Sequence, residues 1–250
     1  MEISCLSPEE LSPILDRKRN PGAARYIPNI PLKALLTNIL EKANDFVPSE
    51  AGSILLDDPL QKRGDTDLQE LVFVCCFGPT AGRIVGERIP ADSGIAGNVY
   101  RSGVSIMTNN SYECPDFSDS YDRKLGYRTQ SVLCVTIRIG NSICGVIELL
   151  NKQGRQDYEN SEKGLLEIFA QYISSTIQNA IDAKKIEKMV RMDDRTGLGN
   201  DRYLHERLPV EVEHHTRSRD HLSIIFLDLD GFKSINDTYG HMAGSNTLAE

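Results

Sequence analysis

Between residues 132 and 192 the hydrophobic period changes once, and that change constrains most of what the chain can fold into. Val132–Ile139 and Ile143–Leu149 are apolar runs rich in β-branched residues, separated by Gly140-Asn141. That dipeptide suits a tight hairpin turn. From about Asn160 to Met192 the period becomes helical. Leu165, Phe169, Tyr172, Thr176, Ala183, Ile186 and Val190 recur at alternating steps of four and three, with Asn179 as the polar interruption. The spacing suits a two-stranded coiled-coil seam, and it equally suits a helix packed on its own sheet. Packing is expected in the first half. Pairing is expected in the second, where Lys184, Lys185, Glu187, Lys188 and Arg191 leave a narrow apolar stripe.

The rest of the chain fits an α+β reading. Residues 1–30 carry Pro8, Pro13, Pro21 and Pro28 without sustained periodicity, an irregular leader with a short helix near Glu9–Asp16. Leu32, Leu35, Leu36, Ile39, Leu40 and Ala43 predict an amphipathic helix to about Asp45. Strands are predicted at Ser53–Leu56, Leu71–Phe77, Arg83–Ile89 and Ser105–Thr108, with a polar hairpin loop at Asp57–Asp67 and a short helix at Gly94–Tyr100. Asn109–Tyr127 reads as a long polar loop bearing Tyr112, Phe117, Tyr121 and Tyr127. Long ordered loops are often binding loops. After Met192 the pattern resets with a turn cluster, a helical region interrupted near Pro209, and Leu222–Leu229, predicted as a buried strand. Gly231-Phe232-Lys233 then turns into another helix. At roughly 150 residues per domain, 250 residues hold between one and two domains.

Charge and cysteine usage narrow the function classes. The 36 acidic and 28 basic residues leave a net charge of −8, which argues against a broad nucleic-acid-binding surface. No apolar run approaches the ~20 residues of a membrane span, and Met1–Leu6 lacks the basic start of a signal peptide. The six cysteines, Cys5, Cys75, Cys76, Cys114, Cys134 and Cys144, form no CxxC pair. Several lie in apolar strand-like runs, where buried reduced thiols and a reducing cytoplasm are expected.

Two motif groups resemble known families. Asp119-Ser120-Tyr121-Asp122-Arg123-Lys124-Leu125-Gly126-Tyr127-Arg128-Thr129-Gln130-Ser131-Val132-Leu133-Cys134 resembles the stretch of cyclic-nucleotide-binding GAF domains that leads from the lid loop into the central strands. Gly145-Val146-Ile147-Glu148-Leu149-Leu150-Asn151-Lys152, followed by Tyr158 and Glu162, is similar to the Asn-Lys…Phe…Asp-Glu signature of phosphodiesterase and adenylyl cyclase GAF domains. Tyr158 replaces Phe, Glu162 replaces Asp, and Lys163 stands where the second acid would be. The resemblance covers residues 31–180 and implies an antiparallel sheet with flanking helices and a ligand pocket. It implies a small ligand, a cyclic nucleotide, beneath Asn109–Tyr127. Tyr112, Phe117, Tyr121 and Tyr127 would stack on the base at about 1–3 kcal/mol per contact, and the same rings equally suit a small core within the lid. Lys152 and Glu162 read as a structural ion pair. A bilin and haem are unsupported, because no Cys-His pair occurs there and all five histidines lie beyond position 200.

Ile224–Gly244 resembles the first half of the GGDEF diguanylate cyclase domain, a strand followed by D-x-D-x-F-K-x-I-N-D and G-H-x-x-G-D. Asp193–Asn200 resembles the linker motif that opens that domain, which makes 161–192 a connector helix and 193–250 a partial cyclase domain ending before the GGDEF hairpin. The resemblance implies cyclic dinucleotide synthesis, in which a 3′-hydroxyl attacks an α-phosphate beside Mg2+ or Mn2+ held by hard oxygen ligands. Asp228 and the Leu229 carbonyl are the implied metal ligands. Gly231 and Phe232 open a turn whose N–H groups meet phosphate at a helix start. Lys233 supplies a point charge to the triphosphate, and Asn236 would bond guanine.

The chain departs from the pattern at Arg195, where Leu is usual, at Asp201, where Arg is usual, and at Ser245, where an acid is usual. A carboxylate accepts two hydrogen bonds from the guanine edge, whereas a serine hydroxyl makes one and need not reject adenine. Ser245 therefore resembles the hybrid promiscuous subclass that makes cyclic GMP-AMP from ATP and GTP alongside cyclic di-GMP. The expected protein is a cytoplasmic, homodimeric, GAF-regulated nucleotide cyclase using GTP and ATP, with no nucleic-acid or membrane partner. The 250-residue chain itself is expected not to turn over. The alternative is a non-catalytic small-ligand-binding and dimerisation module with a degenerate GGDEF half.

Overall fold

A computed structural model describes residues 2–16, 32–57, 70–154 and 157–249. The second half of the leader, and the hairpin loop beyond Asp57, lie outside the described residues. The chain divides into two compact units, Met1–Ile181 and Asp182–Glu250.

The first unit is built on an antiparallel sheet. Its strands are β1 (Ile3–Cys5), β2 (Ser49–Asp57), β3 (Glu70–Phe77), β4 (Arg88–Pro90), β5 (Ile106–Thr108), β6 (Val132–Ile139) and β7 (Ser142–Lys152). They run in the order β1-β3-β2-β7-β6-β5, with β4 also paired to β3. The β6–β7 hairpin turns at Gly140, whose φ of 57° suits glycine. β7 pairs with β2 on one side and β6 on the other. Its Gly145 has no room for a side chain, since a Cβ there would collide with the Leu55 carbonyl oxygen. The helices are α1 (Pro8–Asp16), α2 (Leu32–Phe46), α3 (Ala81–Ile84), α4 (Gly94–Ser102), α5 (Ser120–Leu125), α6 (Asn160–Arg191), α7 (Asp201–Ser218) and α8 (Phe232–Ala249).

Strand alternation sorts the side chains into two cores. Leu36 and Leu40 of α2, Leu166 and Ile173 of α6, and Ile147 and Leu149 of β7 pack on one face. Val99 of α4 and Leu55, Phe73, Val132 and Val146 pack on the other. α2 forms because its buried residues Leu32, Leu36, Leu40 and Ala43 recur at helical spacing, without Gly or Pro.

Several expectations change. The leader is not irregular throughout: α1 forms where a short helix was predicted, and Ile3–Cys5 adds an edge strand. Of the predicted strand Arg83–Ile89, Ile84 and its predecessors belong to α3, and only Arg88–Pro90 pairs with β3. Asn109–Tyr127 is not a plain loop but holds a 3-10 turn at Ser111–Glu113 and α5. Cys5 and Cys75 stand opposite each other and are joined as a disulfide, against the expectation of reduced thiols. Among the described residues Cys76, Cys114, Cys134 and Cys144 are in no disulfide.

α6 packs in its first half on a row one step from the predicted seam. Leu166, Ala170, Ile173, Ile177 and Ala180 are buried, while Tyr172, Ile186 and Val190 are exposed. The sheet selects the row that faces it, and a four-three repeat fits more than one side of the same helix.

The second unit contains helices only among its described residues. The predicted buried strand Leu222–Leu229 does not form, and Phe226 and Leu227 are 88% and 91% exposed. A strand buried on both faces needs pairing neighbours, and no strand in this unit supplies one among the described residues. The motif Asp193–Asn200 closes the turn from α6 to α7. Asp193 accepts from the Arg195 and Thr196 N–H groups and from the Thr196 hydroxyl, which holds its carboxyl below the usual range. Asn200 caps α7 by accepting from the Tyr203 N–H at 3.0 Å. α8 is broken at Gly240, whose φ of 83° and ψ of 162° lie outside the helix.

The packing row on α6 yields a direct test. Leu166→Ala should cost about 2–5 kcal/mol in urea unfolding, and Gln171→Ala on the exposed side should stay within about 0.5 kcal/mol. Equal losses would mean that a different face is buried.

Candidate functional site

A cavity of about 320 Å³ opens between the sheet, α4 and the segment containing α5. Its walls are mostly apolar, with Phe73, Phe77, Ile89 and Leu150 among them. Three polar features face into it. The first is the start of α4, where Ser93, Gly94, Ile95 and Ala96 line the wall. The Ser93 side chain at its N-cap makes no capping bond. First-turn N–H groups lack intrahelical partners and favour an anionic group.

The second is Glu148 on β7. Alternation turns it to the cavity side of the sheet while Ile147 and Leu149 enter the opposite core. Ser53 Oγ donates to Glu148 Oε1 at 2.7 Å. Burial raises the carboxyl pKa, and the Ser53 bond opposes that rise in part. The strand register sets Cys76, Ser53, Glu148 and Cys134 in one row across four strands. Burial, reinforced by the Glu148 charge, pushes the Cys76 and Cys134 thiols well up, so neither is a ready nucleophile.

The third is Asp122 of α5, which is buried in the cavity wall. It accepts from the Thr129 N–H and the Thr129 hydroxyl, each at 2.7 Å, and from the Tyr112 hydroxyl at 3.3 Å. These bonds fix α5 against the start of β6. Ser111 closes the other end, its N–H donating to the Gln130 carbonyl at 2.7 Å. The lid is held across the cavity by Lys124 with Glu87 at 2.8 Å and by the Tyr121 hydroxyl on the Arg88 carbonyl at 3.0 Å.

Of the four aromatic candidates, Phe117, Tyr121 and Tyr127 line the cavity. Tyr112 does not. It is 53% exposed and packs edge-on against Phe117, with ring centroids 5.1 Å apart. Tyr121 lies 6.0 Å from the Phe73 ring. Burial and the nearby Glu50 raise the Tyr127 pKa.

At the end of β7, Asn151 holds a left-handed φ of 56°. Its Oδ1 accepts from the Gln130 N–H at 2.7 Å, and its Nδ2 donates to Glu50 at 2.8 Å, the Arg128 carbonyl at 2.9 Å and the Tyr127 hydroxyl at 3.0 Å. Lys152 and Glu162 form an ion pair, with the Lys152 ammonium 5.9 Å from the Tyr158 ring centre. Glu148, Asp122 and the α4 start are the site features that sequence reasoning passed over. Asp122 and Glu148 lay inside the quoted motifs, but nothing in their spacing distinguished them.

The nucleotide candidates of the second unit lie on two neighbouring segments. Asp228 and Leu229 are in the exposed irregular stretch before α8. Gly231, with φ of 74°, precedes Phe232 and Lys233 in the first turn of that helix. Asn236 packs on Gly244, where a Cβ would collide with its Oδ1. Ser245 donates to the His241 carbonyl at 2.7 Å and receives the Arg195 guanidinium. Asp228 and the Leu229 carbonyl are hard oxygen donors of the kind Mg2+ prefers. Among the described residues no three His, Cys, Asp or Glu side chains are grouped to hold a metal. No helix among them is long and apolar enough to cross a membrane.

Comparison with known proteins follows the same division. Residues 29–178 match the GAF domain family, and residues 190–250 match the diguanylate cyclase GGDEF domain. A probable 3',5'-cyclic phosphodiesterase, pde-5 of Caenorhabditis elegans, is 32% identical over 101 residues, covering 40% of this chain and 14% of that protein. Diguanylate cyclase DgcS of Shewanella oneidensis is 39% identical over 72 residues, covering 29% of this chain and 24% of that protein. Diguanylate cyclase DgcP of Pseudomonas aeruginosa is 26% identical over 181 residues, covering 66% and 26%. The chain thus spans about a quarter or less of the length of these relatives. The fold of the GAF domain from a phosphoenolpyruvate-protein phosphotransferase of Coxiella burnetii is shared with a TM-score of 0.53 at 18% identity, over 63% of this chain and 89% of that one.

The Glu148 environment sets a pH dependence. A carboxyl raised above its ordinary 4.5 costs folding stability as pH climbs past that value toward its folded-state pKa. Glu148→Gln removes the penalty and keeps an acceptor for Ser53. Its Tm should therefore gain on the parent chain between pH 4.5 and pH 7. A Tm difference flat across that range would contradict the buried carboxyl.

Proposed function

Because this chain belongs to the GAF-domain family over residues 29–178 and matches the GGDEF family over 190–250, we propose that it is the sensory and first catalytic portion of a GAF-regulated nucleotide cyclase. The observation that carries the sensory half is the cavity. It combines an uncapped helix start, a carboxyl and aromatic walls in one space. A cyclic nucleotide has matching parts. Its phosphodiester suits the α4 N–H groups, its base suits Phe117, Tyr121 and Tyr127, and a donor on the base or ribose suits Glu148.

The proposed product is a cyclic dinucleotide, cyclic GMP-AMP or cyclic di-GMP, made from GTP and ATP. Mg2+ or Mn2+ would be held by Asp228 and the Leu229 carbonyl, supplying charge neutralisation at the triphosphate. Gly231 and Phe232 would present backbone N–H groups to phosphate, and Lys233 would add a point charge. Asn236 and Ser245 would meet the base, and Ser245, with one hydroxyl in place of a carboxylate, relaxes the choice between guanine and adenine. The proposed nucleotide substrates support a cytoplasmic location. The exposed Ile186, Met189 and Val190 of α6 support a homodimer, since each cyclase domain holds one of the two nucleotides. A non-catalytic ligand-binding module is favoured instead only if the cyclase half proves degenerate.

Calorimetry of the chain with cAMP and cGMP should give heat with at least one, and Glu148→Ala should weaken it about tenfold or more, the scale of a lost bond to a charged group. No heat with either removes the cyclic-nucleotide reading. In a longer protein carrying these residues with an intact GGDEF hairpin, equimolar ATP and GTP should yield cyclic GMP-AMP, and Ser245→Asp should shift the product to cyclic di-GMP. Cyclic di-GMP alone from both proteins would refute the role of Ser245.

A further inference from the structure

The N-terminal arm is held by a short strand pairing at the sheet edge, by three buried apolar side chains and by one covalent bond. β1 pairs with β3 through three residues, Ile3, Ser4 and Cys5, opposite Phe77, Cys76 and Cys75. The Leu6 N–H then donates to the Val74 carbonyl at 2.9 Å. α1 starts immediately afterwards. The Ser7 N–H donates to Glu10 Oε2 at 2.8 Å, and the Glu10 N–H donates back to Ser7 Oγ at 3.3 Å, a capping box that makes strand and helix one unit. Leu6, Leu11 and Ile14 enter the core that also holds Leu36 of α2 and Leu166 and Ile173 of α6.

Cys5 and Cys75 join this arm to β3 across 70 residues of chain. Their Cα atoms are 4.1 Å apart. Cys75 is fully buried, whereas Cys5 is only half-buried at the edge strand. The neighbouring Cys76 faces the other core, so it does not compete for Cys5.

We propose that Cys5 and Cys75 form a reversible thiol–disulfide latch, which clamps the strand–helix arm to the sheet edge when oxidised and loosens it when reduced. The oxidant is a low-molecular-weight disulfide such as oxidised glutathione. The accessible Cys5 thiolate attacks one sulfur of that disulfide and releases the first glutathione thiolate. The Cys75 thiolate then attacks Cys5 Sγ in the mixed disulfide, which forms the Cys5–Cys75 bond and releases the second. The two thiol protons leave with the two glutathiones, and reduction runs the same exchange backward. Disulfides in reducing compartments are usually transient and redox-sensing. The loop closed by the bond is long, so its loss also lowers the folding stability of the unit that the arm completes. Because α1 and α6 share one core, the latch acts on the layer that carries the connector helix.

The test uses the 250-residue chain equilibrated in oxidised or reduced glutathione, acid-quenched and alkylated with N-ethylmaleimide under denaturing conditions. The reduced chain should take six adducts and the oxidised chain four, given the six cysteines. Trypsin should release Met1–Arg17 linked to Gly64–Arg83 from the oxidised chain alone, with fragmentation placing the link at Cys75. Amide exchange over residues 2–16 should be about tenfold faster after reduction. Cys5→Ser should exchange at the faster rate in both buffers. Six adducts after oxidation, or a link to another cysteine, overturns the pairing. Unchanged exchange over residues 2–16 with the link proven overturns the latch.

Discussion

β7 is the strand on which both halves of the first unit's architecture depend. It pairs with β2 and β6 at once, so its two faces have no alternative environment. Ile147 and Leu149 complete the core beneath α2 and α6. Val146 and Glu148 complete the cavity side. A one-residue slip would exchange these faces, sending Glu148 into the helical core and a leucine into the cavity. Gly145 reinforces the register, because only a residue without a side chain tolerates the close Leu55 carbonyl.

The end of the same strand also ties the lid to the start of α6. Asn151 holds the lid's C-terminal side through Tyr127, Arg128 and Gln130. Asn109, at the lid's N-terminal side, brackets Tyr158 by accepting its N–H at 2.8 Å and donating to its carbonyl at 3.2 Å. Tyr158 in turn bonds Ser49 at 2.8 Å, and the Lys152–Glu162 pair joins β7 to the first turn of α6. The lid's C-terminal side therefore meets the end of β7, and its N-terminal side meets Tyr158 just before the connector helix.

Much of this was legible in residues alone. Val132–Ile139 is legible with the bounds observed, because its β-branched run stops at Gly140-Asn141. α2 followed from a single apolar stripe. What escaped prediction has a tertiary cause. Ile3–Cys5 is too short for any period and becomes a strand only because β3 offers an edge. Cys5 and Cys75 lie 70 residues apart, and nothing local announces their meeting. The apolar run Leu222–Leu229 has every mark of a core strand, yet burial requires partners that the described residues of its unit lack. In the cavity, aromatic residues drew attention because their chemistry is conspicuous, and three of the four line it. Glu148 was hidden because a carboxylate between apolar neighbours reads as an ordinary outward position until the second core is seen.

The central claim is that the lid closes on a small ligand resting between α4 and Glu148. Amide hydrogen exchange of the chain, with and without saturating cyclic nucleotide, tests it most directly. The account predicts slower exchange at the start of α4, across Ser111–Thr129 and along the first turns of α6. Unchanged exchange in the lid and at α4, with protection confined to other regions, would contradict it.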